Sequence, residues 1–591
     1  MKSPLTFFTL LMLSSPLWGV AQPTVRYTLS LAERESHILQ VSMEISGLEG
    51  DSLTIALPAW NNLYQIRDFS QYVRSIRAED GNGDRVPLRR LDKQTWRLEP
   101  GADRRLTVLY SVVADRGGSF SAQVNRGHAF INPALVCFYL PEHRSVAHSI
   151  RFRALPRSWK VATGLNSKEE EYQADSYEHL VDSPLEASPF ELAEFRQGGV
   201  LYQVAVHGRQ DLFAMEDLVG MIRRVVEYEV ELMRGAPFKR YVFLYHISER
   251  GSGGMEHRNS TAITLSSARV GKDIQAAAAG VTAHEFFHLW NVRRIHPAAF
   301  DRIDFSREMP TPWLWFSEGT TSYYSLLTLK RTGLVDRDHF YRELSDWIGA
   351  LKARSARLDQ SVVDAGWEAW FERYPFHRRP ETSVSYYNKG ALLSLLLDLR
   401  IRHASGNRRS LDDVLRFLNV WFGDRGVGFQ EADLQRAMEA ISQTRFEDFF
   451  SRYVAGVDEL PLAESLALAG WHLVEETVNV IDYGFTSVRN FDQPLVVAGV
   501  VPGSPAEQAG LRLNDQLLKI DGRPLADRPE ATPPDWKEQT ELVLEIRRGN
   551  ELRTLRFAPK SKLTGRFRIQ EEAQPSPLQL QIRQGLLSGG P

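Results

Sequence analysis

Residues 284–290 read His-Glu-Phe-Phe-His-Leu-Trp. On a helix, positions four apart share one face. His284 and His288 can therefore present their ring nitrogens to a single ion. Glu285 is rotated by about 100° from His284, beside such an ion rather than on it. That is the place for a base that takes a proton from an activated water. The rival reading is a helix that happens to carry two histidines. Two ligands are in any case too few, because a catalytic zinc takes three protein ligands and keeps one position open. The chain has a single cysteine, Cys137, so a zinc site here must use histidine and carboxylate. Cys137 itself lies in the apolar run "ALVCFYL" and is expected to be a buried, inert residue of a strand.

The best third ligand is Glu318, in "PWLWFSEGTTSYYSLL" (312–327). It falls inside an apolar helix start, and an unpaired buried carboxylate is costly. A cation would satisfy it. The alternative is a surface glutamate whose stem lies along apolar neighbours. Tyr386 and Tyr387 precede the next helix in "SVSYYNKGALLSLLL" (383–397), and a phenol near a metal can donate to a developing oxyanion. "GSGGMEHRNSTAITL" (251–265) reads as a glycine-rich turn into an edge strand, with which an extended peptide can pair. Gly253, Gly254 and Met255 would border the cleft, and Glu256 and His257 would both point into it.

These residues need elements to hold them. Asp273 can cap the His284 helix and Pro297 can stop it. Helical spacing recurs at 218–235, 313–332, 338–353, 388–404, 410–422 and 430–442. Strands are expected at 241–247 and 260–267. Residues 22–195 alternate apolar and polar residues in short runs separated by turn-formers, the pattern of a β-sandwich. Short strands return from about 475. The Pro-, Gln- and Gly-rich end, 575–591, reads as disordered. At the other end, Lys2, the apolar run 5–13 and Gly19-Val20-Ala21 read as a secretory signal cut after residue 21. At 591 residues the chain is too long for one core. A net charge of −3 offers no electrostatic case for nucleic acid.

Four stretches in this order, "GGMEH" (253–257), "HEFFHLWNVRRIHP" (284–297), "WFSEGTTSYY" (315–324) and "SYYNKG" (385–390), resemble the M61 metallopeptidases, the glycyl-aminopeptidase-like family of the Glu-zincins. "LPAWNNLYQIRDFSQYV" (57–73) looks like the family's β-domain signature, and "VVPGSPAEQAGLRLNDQLLKIDG" (500–522) looks like a bacterial PDZ domain. The resemblance implies a multidomain α+β chain: signal peptide 1–21, N-terminal β-sandwich 22–195, thermolysin-like, mostly helical catalytic domain 196–468, PDZ domain 469–562 and tail 563–591. It implies one zinc ion per chain on His284, His288 and Glu318, Glu285 as general base, Tyr387 as oxyanion donor, and Glu256 as holder of a substrate's α-amino group. Tyr483, Gly484 and Phe485 would form the PDZ peptide loop. The expected activity is a secreted, periplasmic aminopeptidase preferring Gly or Ala. The alternatives are an endopeptidase with PDZ-recruited protein substrates, and a non-catalytic binding protein.

Overall fold

The computed structural model describes residues 23–47, 52–61, 64–99, 105–249, 251–374, 376–488, 494–525 and 541–590. The expected signal peptide lies outside them. No helix among the described residues is long and apolar enough to cross a membrane.

Strict alternation builds the N-terminal part. In the strand Ile38–Ser46, Leu39, Val41, Met43 and Ile45 are buried and the residues between them are not. Period-two burial puts one face on a core. This strand belongs to an eight-stranded sheet, where it pairs with Thr24–Ser30 on one side and Leu106–Val113 on the other. Smaller sheets of three and four strands complete the region. The run around Cys137 is not a strand. Pro133–Val136 makes one helical turn, started by the Asn132 side chain and Pro133. Cys137 is fully buried, as expected.

A five-stranded sheet follows, in the order Glu191–Gln197, Val200–Gly208, Arg240–Ser248, Ser260–Ser266, Gly253–Glu256. The expected boundary at 195/196 therefore falls inside its first strand. Val200–Gly208 and Arg240–Ser248 run parallel, with the helix Met215–Leu232 between them in sequence, as a parallel pair requires. Both faces of this sheet are covered. Ala205, Val242, Leu244 and Ala262 meet Phe130, Ala162 and Phe190 on one side. Phe243, Tyr245 and Ile263 join the core of the helical region on the other. The short strand Gly253–Glu256 is the sheet's edge, antiparallel to Ser260–Ser266.

The helical region packs around Tyr386–Ala404, whose residues 389–399 are all buried. The helix of the histidine pair spans Ile274–Phe287, with Asp273 accepting from the Ala276 N–H as its cap. It ends well before Pro297. His288 and the residues after it wind into tight turns, in which the Val292 and Arg293 amides both donate to the His288 carbonyl.

The C-terminal sheet encloses its own core of Leu495, Val497, Leu517, Leu542, Leu544, Ile546 and others. It is carried on a two-stranded ribbon: Trp471–Asp482 pairs antiparallel with Lys560–Glu571 along its whole length. The end expected to be disordered, 575–591, holds a helix: Pro577–Ser588, whose Ile582 and Leu586 sit in the core of the helical region. The expected start of the tail, 563, lies within the returning strand. The prolines that suggested disorder do the opposite locally. Pro577 occupies the first helical turn, behind a Ser576–Gln579 capping box. Arg583 ties the helix to the Ala469 and Gly470 carbonyls and to Glu571.

Candidate metal centre

His284, His288 and Glu318 converge. The two histidine Nε2 atoms are 3.0 Å apart, and Glu318 Oε2 lies 3.5 Å from His284 Nε2 and 3.3 Å from His288 Nε2. A tetrahedral zinc with bonds of 2.0–2.1 Å sets its ligand atoms about 3.3 Å apart, so the three donors fit one ion. Glu318 reaches this point from Trp315–Thr320, a wide π-type turn that leads into the helix Thr321–Arg331. Such turns shift the side-chain register and recur at functional sites.

Around the donors the structure gathers acid. Glu256, Glu285 and Glu318 all line the same cleft of about 350 Å³, and carboxylate oxygens of Glu256 and Glu285 lie within 4.8 Å of each other and of a His288 nitrogen. Burial disfavours a charged His288 ring, yet Glu318, Glu256 and Glu285 outweigh it and lift the ring to about 10. Burial raises Glu285 to about 8, with His288 opposing and Glu256 and Glu318 adding to the rise. A cleft that holds its protons this firmly is short of positive charge, and a divalent cation would supply it.

Other residues hold the ligands. His288 Nδ1 donates to the Asn291 carbonyl, 2.8 Å away, which leaves Nε2 free to bind. The Asn291 side chain donates to the Phe316 carbonyl, also 2.8 Å, so the histidine turn is tied to the Glu318 turn. Gly319 and Gly390 let that turn cross the helix Tyr386–Ala404 at backbone contact. A Cβ on Gly390 would stand 2.3 Å from the Trp315 carbonyl oxygen. Tyr387, at the start of that helix, lines the cleft, its ring centroid 6.2 Å from that of His284. Burial, helped by Glu318, keeps its phenol protonated and able to donate.

Gly254 and Glu256 face this cleft, but His257 does not. Successive side chains of a strand point to opposite faces. His257 Nδ1 meets Asp182 Oδ1 at 3.1 Å, and Arg293 pairs with the other Asp182 oxygen. His257 thus anchors the edge strand to the N-terminal region. Sequence reasoning missed Asn291 and Asp182, which carry no motif of their own. It also missed Tyr64 and Phe120, which wall the cleft from the N-terminal side. Tyr483, Gly484 and Phe485 lie at the start of the Phe485–Val488 strand, where the Gly484 carbonyl accepts from Ser504 Oγ and the Val501 amide.

Family models match along the chain in the same order. The Peptidase M61 N-terminal domain matches residues 26–189, the M61 glycyl aminopeptidase matches 277–393 and a PDZ domain matches 496–533. Two models of the M61 peptidases thus match successive stretches of the chain, and the chain is similar to that family over them. The chain is also similar to solved structures. It is 25% identical to an aminopeptidase N family protein from Idiomarina loihiensis, with a TM-score of 0.79, over 94% of this chain and 100% of that one. An M1 zinc metallopeptidase from Deinococcus radiodurans is 16% identical, with a TM-score of 0.46, over 75% of this chain and 95% of that one. Among curated proteins, the mouse serine protease HTRA3 is 42% identical over 67 residues, 10% of this chain and 14% of that protein. Human rhophilin-1 is 28% identical over 131 residues, 21% of this chain and 17% of that protein. The chain thus spans less than a fifth of the length of these curated relatives. The similarity to M61 peptidases implies a zinc ion, and the donor set described above fits it.

Proposed function

We propose that this chain is a zinc aminopeptidase that removes small N-terminal residues such as Gly or Ala, and that it works outside the cytoplasm, in the periplasm. The observation that carries the reading is the position of Glu256, a carboxylate at the end of an edge strand, in the same small cleft as the three metal donors.

His284, His288 and Glu318 would hold the ion. Zinc, when bound, polarises the scissile carbonyl and acidifies a water. Glu285 takes the proton from the attacking water and passes it to the leaving amine. The Tyr387 phenol donates to the developing oxyanion. The Gly253–Glu256 edge aligns the substrate backbone, and Glu256 pairs with its terminal ammonium. Tyr64 and Phe120 line the cleft from the N-terminal side, where the first side chain would lie.

The test compares alanyl and glycyl anilides with their N-acetylated forms. Free amines should be cut at least about 10²-fold faster, a gap of roughly 2.7 kcal/mol. Equal rates would remove the amine-clamp role of Glu256. Cleavage of internal bonds in unfolded proteins would favour an endopeptidase instead, a reading supported by the PDZ domain, which suggests peptide binding.

A further inference from the structure

A second cluster of metal-binding side chains lies away from the catalytic cleft. Glu186 stands in the strand Leu185–Ser188 of the N-terminal four-stranded sheet and is 1% exposed. His207 and His246 are paired neighbours on two strands of the catalytic sheet. His128 precedes the strand Ala129–Ile131, in which Phe130 pairs with Glu186. His128 Nδ1 is 3.4 Å from Glu186 Oε2, and His207 Nδ1 is 3.8 Å from Glu186 Oε1. His246 Nε2 holds Glu186 Oε2 at 3.0 Å.

Three features point to a cation site. Glu186 Oε1 is buried and has no hydrogen-bond partner among the described residues, a costly state for a carboxylate oxygen. His128 Nε2 lies 2.9 Å from Gln123 Oε1, and its other ring nitrogen, Nδ1, faces Glu186 Oε2 at 3.4 Å. One ring nitrogen each of His128 and His207 and a Glu186 carboxylate oxygen lie within 4.8 Å of one another.

We propose that His128, His207 and Glu186 bind a second divalent ion, of the zinc class, that clips the N-terminal sheet to the catalytic sheet. Two imidazoles and one carboxylate are a zinc-type donor set. His246 and Gln123 orient the ligands from behind, as outer partners do. The three histidines line the wall of a cleft of about 1190 Å³, which gives an ion its route in. Leu495, Leu517 and Lys519 of the C-terminal sheet line the same cleft. The ion would therefore sit where three parts of the chain meet.

The experiment counts metal by elemental analysis on full-length protein dialysed after exposure to Zn2+ alone. Wild type should retain about two equivalents and His207→Ala about one, with hydrolysis of small peptides persisting. The double variant His288→Ala/Glu318→Gln should still retain about one equivalent. It decides the matter if His207→Ala does not fold, since it leaves the second cluster untouched. One equivalent in wild type, an unchanged count in folded His207→Ala, or none in the double variant would overturn the proposal.

Discussion

Gly254 lies against Glu285 with no room between them. A Cβ on Gly254 would stand 2.3 Å from Glu285 Cγ and 2.6 Å from its Oε1. The edge strand that would align a substrate thus also presses on the proposed base. Gly254→Ala must push the Glu285 carboxylate aside while leaving the metal donors in place. We expect kcat/KM to fall by about 10²-fold, the scale of an ångström's misplacement, with zinc content unchanged. Steady-state kinetics with metal analysis checks both.

Glu285→Gln keeps the shape of the side chain and removes its basicity. The expected outcome is a loss of about 10²–10⁴-fold in kcat, with stoichiometric zinc and an unchanged melting temperature. Activity within a few-fold of wild type would mean that another group takes the proton.

The crossing of Gly319 and Gly390 predicts a different failure. Gly390→Ala sets a methyl against the Trp315 carbonyl, and backbone cannot yield as a flexible side chain does. Overpacking of this kind costs about 1–3 kcal/mol. Glu318 rides on the displaced turn, so zinc affinity should weaken along with stability. Thermal unfolding and a competition titration with a chelator measure the two effects.

Acid should loosen the N-terminal region through His148. Burial holds this imidazole down to about 4, although its bond to the Val146 carbonyl opposes the shift. Between about pH 6.5 and pH 4 the unfolded chain takes up a proton that the folded chain refuses. Stability therefore falls as the pH drops through that window, by up to about 3 kcal/mol, and levels off below it. His148→Phe keeps a ring against Tyr27 and should flatten the slope of melting temperature against pH. An unchanged slope would assign it to other groups.

The ribbon makes a clean deletion possible. Asp482 and Lys560 are paired across it, so replacing residues 483–559 by a two-residue turn closes a hairpin. Cleavage of short peptides should stay within about threefold, while any protein cleavage that depends on the PDZ domain disappears. A chain cut after Glu572 should instead aggregate, because Trp471, Ile582 and Leu586 belong to one core. Size-exclusion chromatography and peptide assays separate the two outcomes.

The candidate metal centre was legible because its spacing follows from helix geometry: His284 and His288 share a face, and Glu318 stood out as acid in an apolar stretch. The edge strand was legible from its glycines. What lay hidden depends on contacts between distant segments. Asn291 looks like any loop residue until its amide is seen against the Glu318 turn. His257 follows a motif glutamate, yet strand alternation sends it to Asp182, 75 residues away. The C-terminal helix was masked by its own composition. Its glutamines are the polar residues of a helix whose Ile582 and Leu586 have a core waiting for them.

That helix also sets a clock. Because the ribbon returns the chain to where it left, the peptidase core lacks Ile582 and Leu586 until the whole C-terminal sheet has been synthesised. The protein cannot finish assembling its helical region before its C-terminal sheet exists. Any peptidase molecule that completes its core is therefore one that already carries that sheet on its stalk.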